Sequence, residues 1–269
     1  LMEYSQKNSV PLLARGGGSS QCGQTVSEAI VLDYSKHQNQ VLELNVEEKY
    51  VWVQPGIVLD TLNAYLKQFD LWFPVDVSTS SRATIGGMTG NNSCGSRSLY
   101  YGNMVNNVLA VEAILDDGTI HTFEDINKNY LEAKNDQNRQ YEIIKKFLDL
   151  RENVKDDISQ FWPQTQRRVG GYNIDSLLPD AMASRPTGKK GDGINLSHLL
   201  VGSEGTLVYS SAITLKLSPL PSQKIMGICH FPSFYEAMDA AQHIVPLDPI
   251  AVELVDDTML SLARKIDIF

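Results

Sequence analysis

The segment from residue 74 to residue 102 constrains this chain more than any other. It reads PVDVSTSSRATIGGMTGNNSCGSRSLYYG and mixes glycines with many serines, threonines and asparagines. Such a segment is too long, and too specific in composition, for a simple linker. Glycine allows the backbone to adopt a positive φ and to approach a ligand closely. The sequence therefore predicts a chain that wraps an extended polar ligand with its backbone groups.

Two further segments concentrate glycine, RGGGSSQCG at 15–23 and GSEGTL at 202–207. Consecutive exposed backbone N–H groups form an anion-binding nest, and Ser19 and Ser20 could add hydroxyl donors. Taken alone, the first segment is equally compatible with a flexible turn, and the second with a hairpin turn. The first segment matches neither GxxxxGK[ST] nor GxGxxG, so the common nucleotide-binding folds are disfavoured.

The pattern of apolar residues predicts an α+β fold. Strands are expected where Val, Ile, Leu, Tyr and Trp cluster, and tight hairpin turns are expected at EEK and DDG. Helices are expected over 59–69 and within 124–160, where apolar residues recur at helical spacing. The helical stripe of the second comprises Tyr141, Ile144, Phe147, Leu148, Val154 and Ile158. The predicted strands lie within 10–15, 28–35, 40–56 and 108–123.

Pro219 and Pro221 predict a domain boundary. We expect one domain at 1–218 and the incomplete start of a second at 219–269. The second reads as strand 224–231, helix 233–244, strand 250–255 and helix 257–265. Residues 1–10 resemble the last turns of a helix that runs into a strand, so we expect a truncated N-terminus and a chain cut from a longer protein.

Composition excludes several classes of function. The net charge of −9 argues against nucleic-acid binding, and no apolar run is long enough for a transmembrane helix. The three cysteines predict no disulfide framework, which favours a reducing cytoplasm. The five histidines show no HxH or HxxxH spacing, so no metal site is expected.

The segment SRPTGKKGDG at 184–193 predicts a mobile loop, whose lysines are either anion contacts or simply solvated.

Taken in order, the three glycine-rich segments and the DG hairpin resemble one family. Strand-RGGGSS, then ATIGGMTGNNSCG, then GSEGTL is similar to the FAD-binding domain of the vanillyl-alcohol oxidase and p-cresol methylhydroxylase (PCMH) superfamily. The likeness covers residues 10–221. It is nearest to the branch of the glycolate oxidase subunit, D-lactate dehydrogenases and D-2-hydroxyglutarate dehydrogenases. The resemblance implies a two-lobed α+β domain that grips FAD between its lobes, followed by the start of an α+β cap domain.

The resemblance also implies which residues hold the cofactor. Around the pyrophosphate these are Arg15, Gly16, Gly17, Gly18, Ser19, Ser20, Gly23 and Gln24. Along the flavin and ribityl chain they are Pro74, Ser78, Thr84, Gly86, Gly87, Gly90, Asn91, Ser93 and Gly95. On the far side they are Glu204, Gly205 and Thr206. Since no histidine stands near the first loop, we expect non-covalent FAD, with a cysteinyl link through Cys22 as the minor alternative.

The chemistry implied by the resemblance is oxidation of a D-2-hydroxy acid of the lactate, 2-hydroxyglutarate or glycolate type. Hydride passes to flavin N5, and electrons pass on to a quinone, an electron-transfer protein or an iron–sulfur domain. In relatives the base is a histidine of a metal-binding cluster in the cap, which this chain does not show, so the catalytic residues stay unknown. The chain is also similar to the front portion of large bacterial proteins that carry a C-terminal iron–sulfur domain. Any such cluster would lie outside these residues.

Several alternatives stay open from the sequence. The chain could be an FAD-binding module without turnover, or an NADPH-dependent flavin reductase of the same superfamily, although that branch lacks ATIGGMTGNNSCG. Within RRVGGYNIDSLL, Arg168 and Tyr172 could face the flavin or substrate, and for Arg168 a structural pairing with a carboxylate is the alternative. The expected location is the cytoplasm, with a peripheral position at the inner face of the membrane as the alternative.

Overall fold

A five-stranded antiparallel sheet forms the centre of the fold. The computed structural model describes residues 1–126, 139–163, 165, 167–178 and 194–266. The strand order is β3-β4-β10-β6-β7, so the long strand β10 lies in the middle, between two hairpins that precede it in the chain. The strands are β3 (Val41–Asn45), β4 (Tyr50–Val53), β6 (Val108–Ile114), β7 (Ile120–Phe123) and β10 (Tyr209–Lys216).

Both predicted hairpins are confirmed. Strand β3 pairs with β4, and β6 pairs with β7, each in antiparallel register. The connecting turns contain Lys49 and Gly118, whose φ angles are 56° and 82°. Tight hairpin turns require such positive φ values, which explains the turn signals in the sequence.

A second, smaller sheet is parallel and lies at the start of the chain. Helix α1 (Met2–Asn8) leads into β1 (Leu12–Arg15), which pairs with β2 (Ile30–Asp33). The helix followed by a strand matches the prediction for residues 1–15. The connection from β1 to β2 carries the first glycine-rich segment.

Helix α2 (Leu59–Leu66) forms where the apolar spacing predicts it and continues as a 3₁₀ turn to Phe69. Its leucines are almost fully buried in the core. The side chain of Asn63 accepts a hydrogen bond from Phe73 N at 2.7 Å and donates one to Phe73 O at 3.2 Å. This pair ties the helix to the residues after β5 (Leu71–Trp72), which pairs with β11 (Ser218–Pro219).

Helix α6 (Arg139–Phe161) confirms the helical pattern expected within 124–160. Ile144 and Ile158 of the predicted stripe are buried, and the other four stripe residues are partly buried. The helix therefore turns one face to the core. The remaining short elements are α3 (Ile85–Gly90), α4 (Ser98–Tyr101), α5 (Met104–Asn107), β8 (Asp125–Ile126), β9 (Ile194–Asn195) and α7 (Ser197–Leu200).

Beyond β11, the two strands predicted at 224–231 and 250–255 are wrong. The structure has no strand there, and Ile225 is 96% exposed. A strand needs a neighbour for its backbone N–H and C=O groups, and no strand among the described residues pairs with these segments. The predicted helices do form, as α8 (Phe234–Ile244) and α9 (Asp257–Ala263), because local capping supports them.

The described helices include none with the length and hydropathy that crossing a membrane requires. The segment 184–193, for which a mobile loop is predicted, lies outside the described residues.

Candidate cofactor site

The three glycine-rich segments meet at one cavity of about 440 Å³. This volume lies within the range of small-molecule sites. The cavity is lined by the end of β1 and the loop after it, by the segments before and after α3, and by the turn that precedes β10. Segments far apart in the sequence therefore form a single site.

The first segment needs glycine because it packs against another backbone. A Cβ on Gly17 would overlap the carbonyl oxygen of Arg82, and one on Gly16 would overlap Oγ1 of Thr84. Gly18 has a φ of 63°, which disfavours any other residue. The structure thus supports a tight loop at this point rather than a loose turn.

A cation lies over this loop. A Cβ on Gly18 would come within 2.7 Å of Nη2 of Arg15, so the guanidinium lies against Gly18. Backbone N–H groups together with a guanidinium bind phosphate oxygens through charge-assisted hydrogen bonds. This end of the cavity is therefore suited to an anionic group.

In the second segment, the neighbouring residues Asn91 and Asn92 have different structural roles. Asn92 is fully buried with a φ of 48°, and its Oδ1 accepts a hydrogen bond from Val105 N at 3.0 Å. Asn91 is exposed on the cavity wall and donates from Nδ2 to Oγ of Ser93 at 2.9 Å. Asn92 therefore holds the loop in shape, while Asn91 faces the cavity.

The third segment is a strained turn fixed to α3. Glu204 has a φ of 53° and donates its backbone N–H to Gly90 O at 2.9 Å. Burial raises the pKa of the Glu204 carboxyl above its ordinary value, and a hydrogen bond from Gln24 acts in the opposite direction. Glu204 and Gln24 thus line the cavity from two different loops.

A raised carboxyl pKa means that the folded protein binds the proton more tightly than the unfolded chain does. Charge on Glu204 therefore costs stability as the pH rises through the unfolded and then the folded pKa. We expect Glu204→Gln, without FAD, to raise the free energy of unfolding at pH 7 by less than about 1 kcal/mol, because solvent screens this half-open site. The gain should vanish below about pH 4, where the wild-type carboxyl is protonated as well.

Urea unfolding at both pH values measures this effect. Glu152→Gln is the matched control: hydrogen bonds from Lys155 and Arg151 lower the pKa of Glu152, so this variant should lose stability at pH 7. A loss of stability at pH 7 in Glu204→Gln would contradict the raised pKa of the partly desolvated Glu204 carboxyl.

The RRVGGYN segment forms a further wall of the site. Nη2 of Arg168 lies 2.7 Å from Oδ1 of Asp175, and the guanidinium stacks 4.6 Å from the centre of the Trp162 ring. The hydroxyl of Tyr172 is hydrogen-bonded to Oγ1 of Thr206 at 2.8 Å. Of the two interpretations left open for Arg168, the structure shows the pairing with a carboxylate. Neither Arg168 nor Tyr172 is among the residues that line the cavity. The residue that lines the cavity here is Val169.

Most residues implied by the resemblance line this cavity, and four do not: Gly23, Pro74, Gly95 and Thr206. Several residues that line the cavity were not predicted from the sequence. They include Tyr34, Pro55, Val77, Thr79, Asn92, Cys94, Ser203 and Ser210. Of these, Asn92 and Cys94 lie within the ATIGGMTGNNSCG motif, so the motif could have indicated them. Tyr34 and Pro55 lie outside all three glycine-rich segments, and no local pattern indicates them.

No group of three or more metal-binding side chains occurs in the described part of the chain. The buried His198 is hydrogen-bonded through Nε2 to Val108 O at 3.1 Å in the core. Cys22 is exposed, and Cys94 is partly buried in the cavity wall.

Comparison with known proteins relates the first two glycine-rich segments to one kind of domain. Residues 1–124 match a family model described as an FAD binding domain. The first part of the chain is thus similar to FAD-binding domains. FAD was the cofactor expected from the resemblance, and that expectation is confirmed.

Relatives of the FAD-binding domain confirm the predicted branch. The chain is 33% identical to D-2-hydroxyglutarate dehydrogenase of Pantoea ananatis, over 96% of this chain and 24% of the relative. The Escherichia coli enzyme of that name is 32% identical over 98% of this chain and 25% of the relative. D-lactate dehydrogenase of Archaeoglobus fulgidus is 27% identical over 99% of this chain and 46% of the relative. The chain spans about a quarter of the D-2-hydroxyglutarate dehydrogenases it matches.

Solved structures confirm the fold of the FAD-binding domain. An alkyldihydroxyacetonephosphate synthase superposes with a TM-score of 0.57 at 20% identity, over 92% of this chain and 37% of that one. At this identity the likeness concerns the fold alone. The predicted α+β class is thus confirmed.

Proposed function

We propose that this chain holds FAD without a covalent bond, as the cofactor-binding part of a dehydrogenase that oxidises a D-2-hydroxy acid. The observation that carries the proposal is the convergence of three glycine-rich segments on one cavity. The names of the relatives, D-2-hydroxyglutarate and D-lactate dehydrogenases, support the substrate class. Cys22 is not among the residues that line the cavity, and no histidine occurs at 15–24, which supports a non-covalent site.

The residues fit the parts of FAD in order. The diphosphate would bind at Gly16, Gly17 and Gly18, with the Arg15 guanidinium against Gly18. Ser19, Ser20 and Gln24 line the cavity next to them, and Gly23 belongs to the same loop. The flavin and ribityl chain would lie along the predicted residues from Pro74 to Gly95. Glu204, Gly205 and Thr206 would close the far side. We keep the four residues outside the cavity lining in this proposal as supports of the loops that line it.

Bound FAD supplies the hydride acceptor of the reaction. The chain's own residues bind and orient it: backbone N–H groups replace the water around the diphosphate, and the packed glycine loops exclude solvent from its faces. Asn91 and Ser93 present polar groups along the cavity. We assign no catalytic base within these residues.

The wider protein follows from the same proposal. Residues 1–218 would form the FAD domain and 219–269 the start of a cap that covers the substrate. The substrate would be a small 2-hydroxy acid, and the electron acceptor a quinone, an electron-transfer protein or an iron–sulfur domain elsewhere in the protein. We place the protein in the cytoplasm, with a peripheral position at the inner membrane face as the alternative.

A second candidate is a cofactor-binding module without turnover. It is favoured by one observation: the described residues contain no cluster of metal-binding side chains that could place a base near the cavity. The flavin reductase alternative is weaker, because the ATIGGMTGNNSCG element forms the wall of this cavity.

The full-length holoprotein tests the proposal in a substrate panel. D-2-hydroxyglutarate, D-lactate, D-malate and the achiral glycolate are offered with an artificial electron acceptor, and the L-enantiomers of the three chiral acids serve as controls. Reduction by at least one D-acid supports the dehydrogenase. A yellow protein that none of these acids bleaches favours the module without turnover. Heat denaturation should release FAD into the supernatant, and a flavin that stays with the precipitate would contradict the non-covalent site.

A further inference from the structure

Asp76 lies outside the cavity lining but holds together two of its walls. Its Oδ2 accepts a hydrogen bond from Oγ of Ser96 at 3.0 Å, and its Oδ1 accepts one from Arg97 N at 3.1 Å. Nε of Arg97 lies 3.7 Å from Oδ2. The side chain is only 18% exposed, so the carboxylate makes these contacts largely away from solvent. One side chain thus binds three groups of the loop that follows α3.

The contact between Asp76 and this loop is unusually close. A Cβ on Gly95 would overlap both the backbone oxygen and Oδ1 of Asp76. Gly95 is held from two other directions, since its N–H donates to Oγ of Ser98 at 3.0 Å and its carbonyl accepts from Nη1 of Arg167 at 3.2 Å. Gly95 is therefore present because Asp76 occupies the space of a side chain.

The two segments that Asp76 joins both reach the cavity. Val77, Ser78 and Thr79 follow Asp76 directly and line it, and Ser93 and Cys94 precede Gly95 and line it. We propose that Asp76 is a positioning residue that fixes the wall formed by Ser93 and Cys94 against the flavin end of the cofactor. The inference rests on the proposed function, because that function assigns this wall to the flavin.

Asp76 also pairs with Arg97, one of two cations that lie over the Trp72 ring. The Arg97 guanidinium lies 4.7 Å from the centre of the Trp72 ring, and Nζ of Lys224 lies 5.6 Å from it. The carboxylate pairs with Arg97 and holds this cation on Trp72. Without the Asp76 carboxylate, the Arg97 guanidinium and the loop at residues 95–97 are no longer held by the same side chain.

Asp76→Asn is the first test, in the full-length holoprotein. The amide keeps the shape, but its nitrogen cannot accept the bond from Ser96 or Arg97. We expect FAD to bind roughly tenfold more weakly, as for loss of a hydrogen bond to a charged group. We also expect a shifted visible absorption band and a changed reduction potential of the bound flavin. These two readouts would not move if Asp76 only stabilised the fold.

Gly95→Ala tests the same contact from the other side, and it keeps the inference testable should Asp76→Asn fold poorly. It should produce the same spectral shift, and the double variant should add little to either single one, because both disrupt one contact. Asp117→Asn is the matched control. Asp117 likewise accepts from a hydroxyl and a backbone N–H, both of Thr119, and pairs with Arg139, but it lies in the β6–β7 turn away from the cavity.

Asp117→Asn should keep the wild-type spectrum and FAD affinity. If Asp76→Asn and Gly95→Ala also keep both, and lower only the melting temperature, the positioning role is overturned while the proposed FAD site stands. If the wild-type protein binds no FAD, the proposed function fails first, and the inference with it.

Discussion

Replacing Gly17 by alanine should weaken FAD binding by about 100-fold or more. The new Cβ would overlap the carbonyl oxygen of Arg82, a backbone atom that cannot rotate away. The loop after β1 must then move from the segment that precedes α3, which displaces the N–H groups proposed for the diphosphate. Overpacking of this kind costs about 1 to 3 kcal/mol, and a displaced anion site loses further binding energy.

Fluorescence titration with FAD measures the loss of FAD affinity. Thermal unfolding without FAD measures how far the overpacking lowers the stability of the fold. Gly227→Ala is the control, because a Cβ there meets nothing within 4 Å and the glycine has no positive φ. It should bind FAD as the wild type does. Wild-type affinity in Gly17→Ala would show that the close approach of the two loops does not shape the site.

Replacing Arg168 by alanine should lower the free energy of unfolding by about 3 kcal/mol or more. Removing one partner of a buried ion pair leaves the other charge uncompensated. The Asp175 side chain is only 6% exposed, and Arg168 also stacks on Trp162. Because the Arg168 carbonyl accepts from Asn92 and Asn103, the loss should also loosen the cavity wall and weaken FAD binding.

Urea unfolding compares this variant with Arg151→Ala. Arg151 pairs with Glu152 on the surface of α6, where the carboxylate is 53% exposed. Exposed pairs contribute less than about 1 kcal/mol, so Arg151→Ala should change little. Equal effects of the two substitutions would mean that the Arg168 pair is not a stabilising element.

The glycine segments and the regular elements could be predicted because their signals are local. Leu59, Leu62 and Leu66 recur at helical spacing and are buried on one side of α2. The EEK and DDG turns lie between strands that pair with each other directly. The RGGG loop was recognisable because only glycine allows its φ and its close packing.

Features that depend on contacts between residues far apart in the sequence could not be predicted from local patterns. The apolar residues at 224–231 and 250–255 favour strands, but no described strand offers them hydrogen bonds. Asn91 and Asn92 look alike in sequence and both line the cavity, but the fold leaves Asn91 exposed and buries Asn92 completely. Tyr34 and Pro55 reach the cavity through the packing of the two sheets, which no local pattern indicates.

The most direct test of the FAD site is a titration of the purified protein with FAD, monitored by flavin fluorescence and visible absorption. We expect saturable binding of one FAD per chain, with binding to the Gly17→Ala variant at least about 100-fold weaker and binding to the Gly227→Ala variant unchanged. Absence of saturable binding in the wild-type protein, or equal binding in all three proteins, would contradict it.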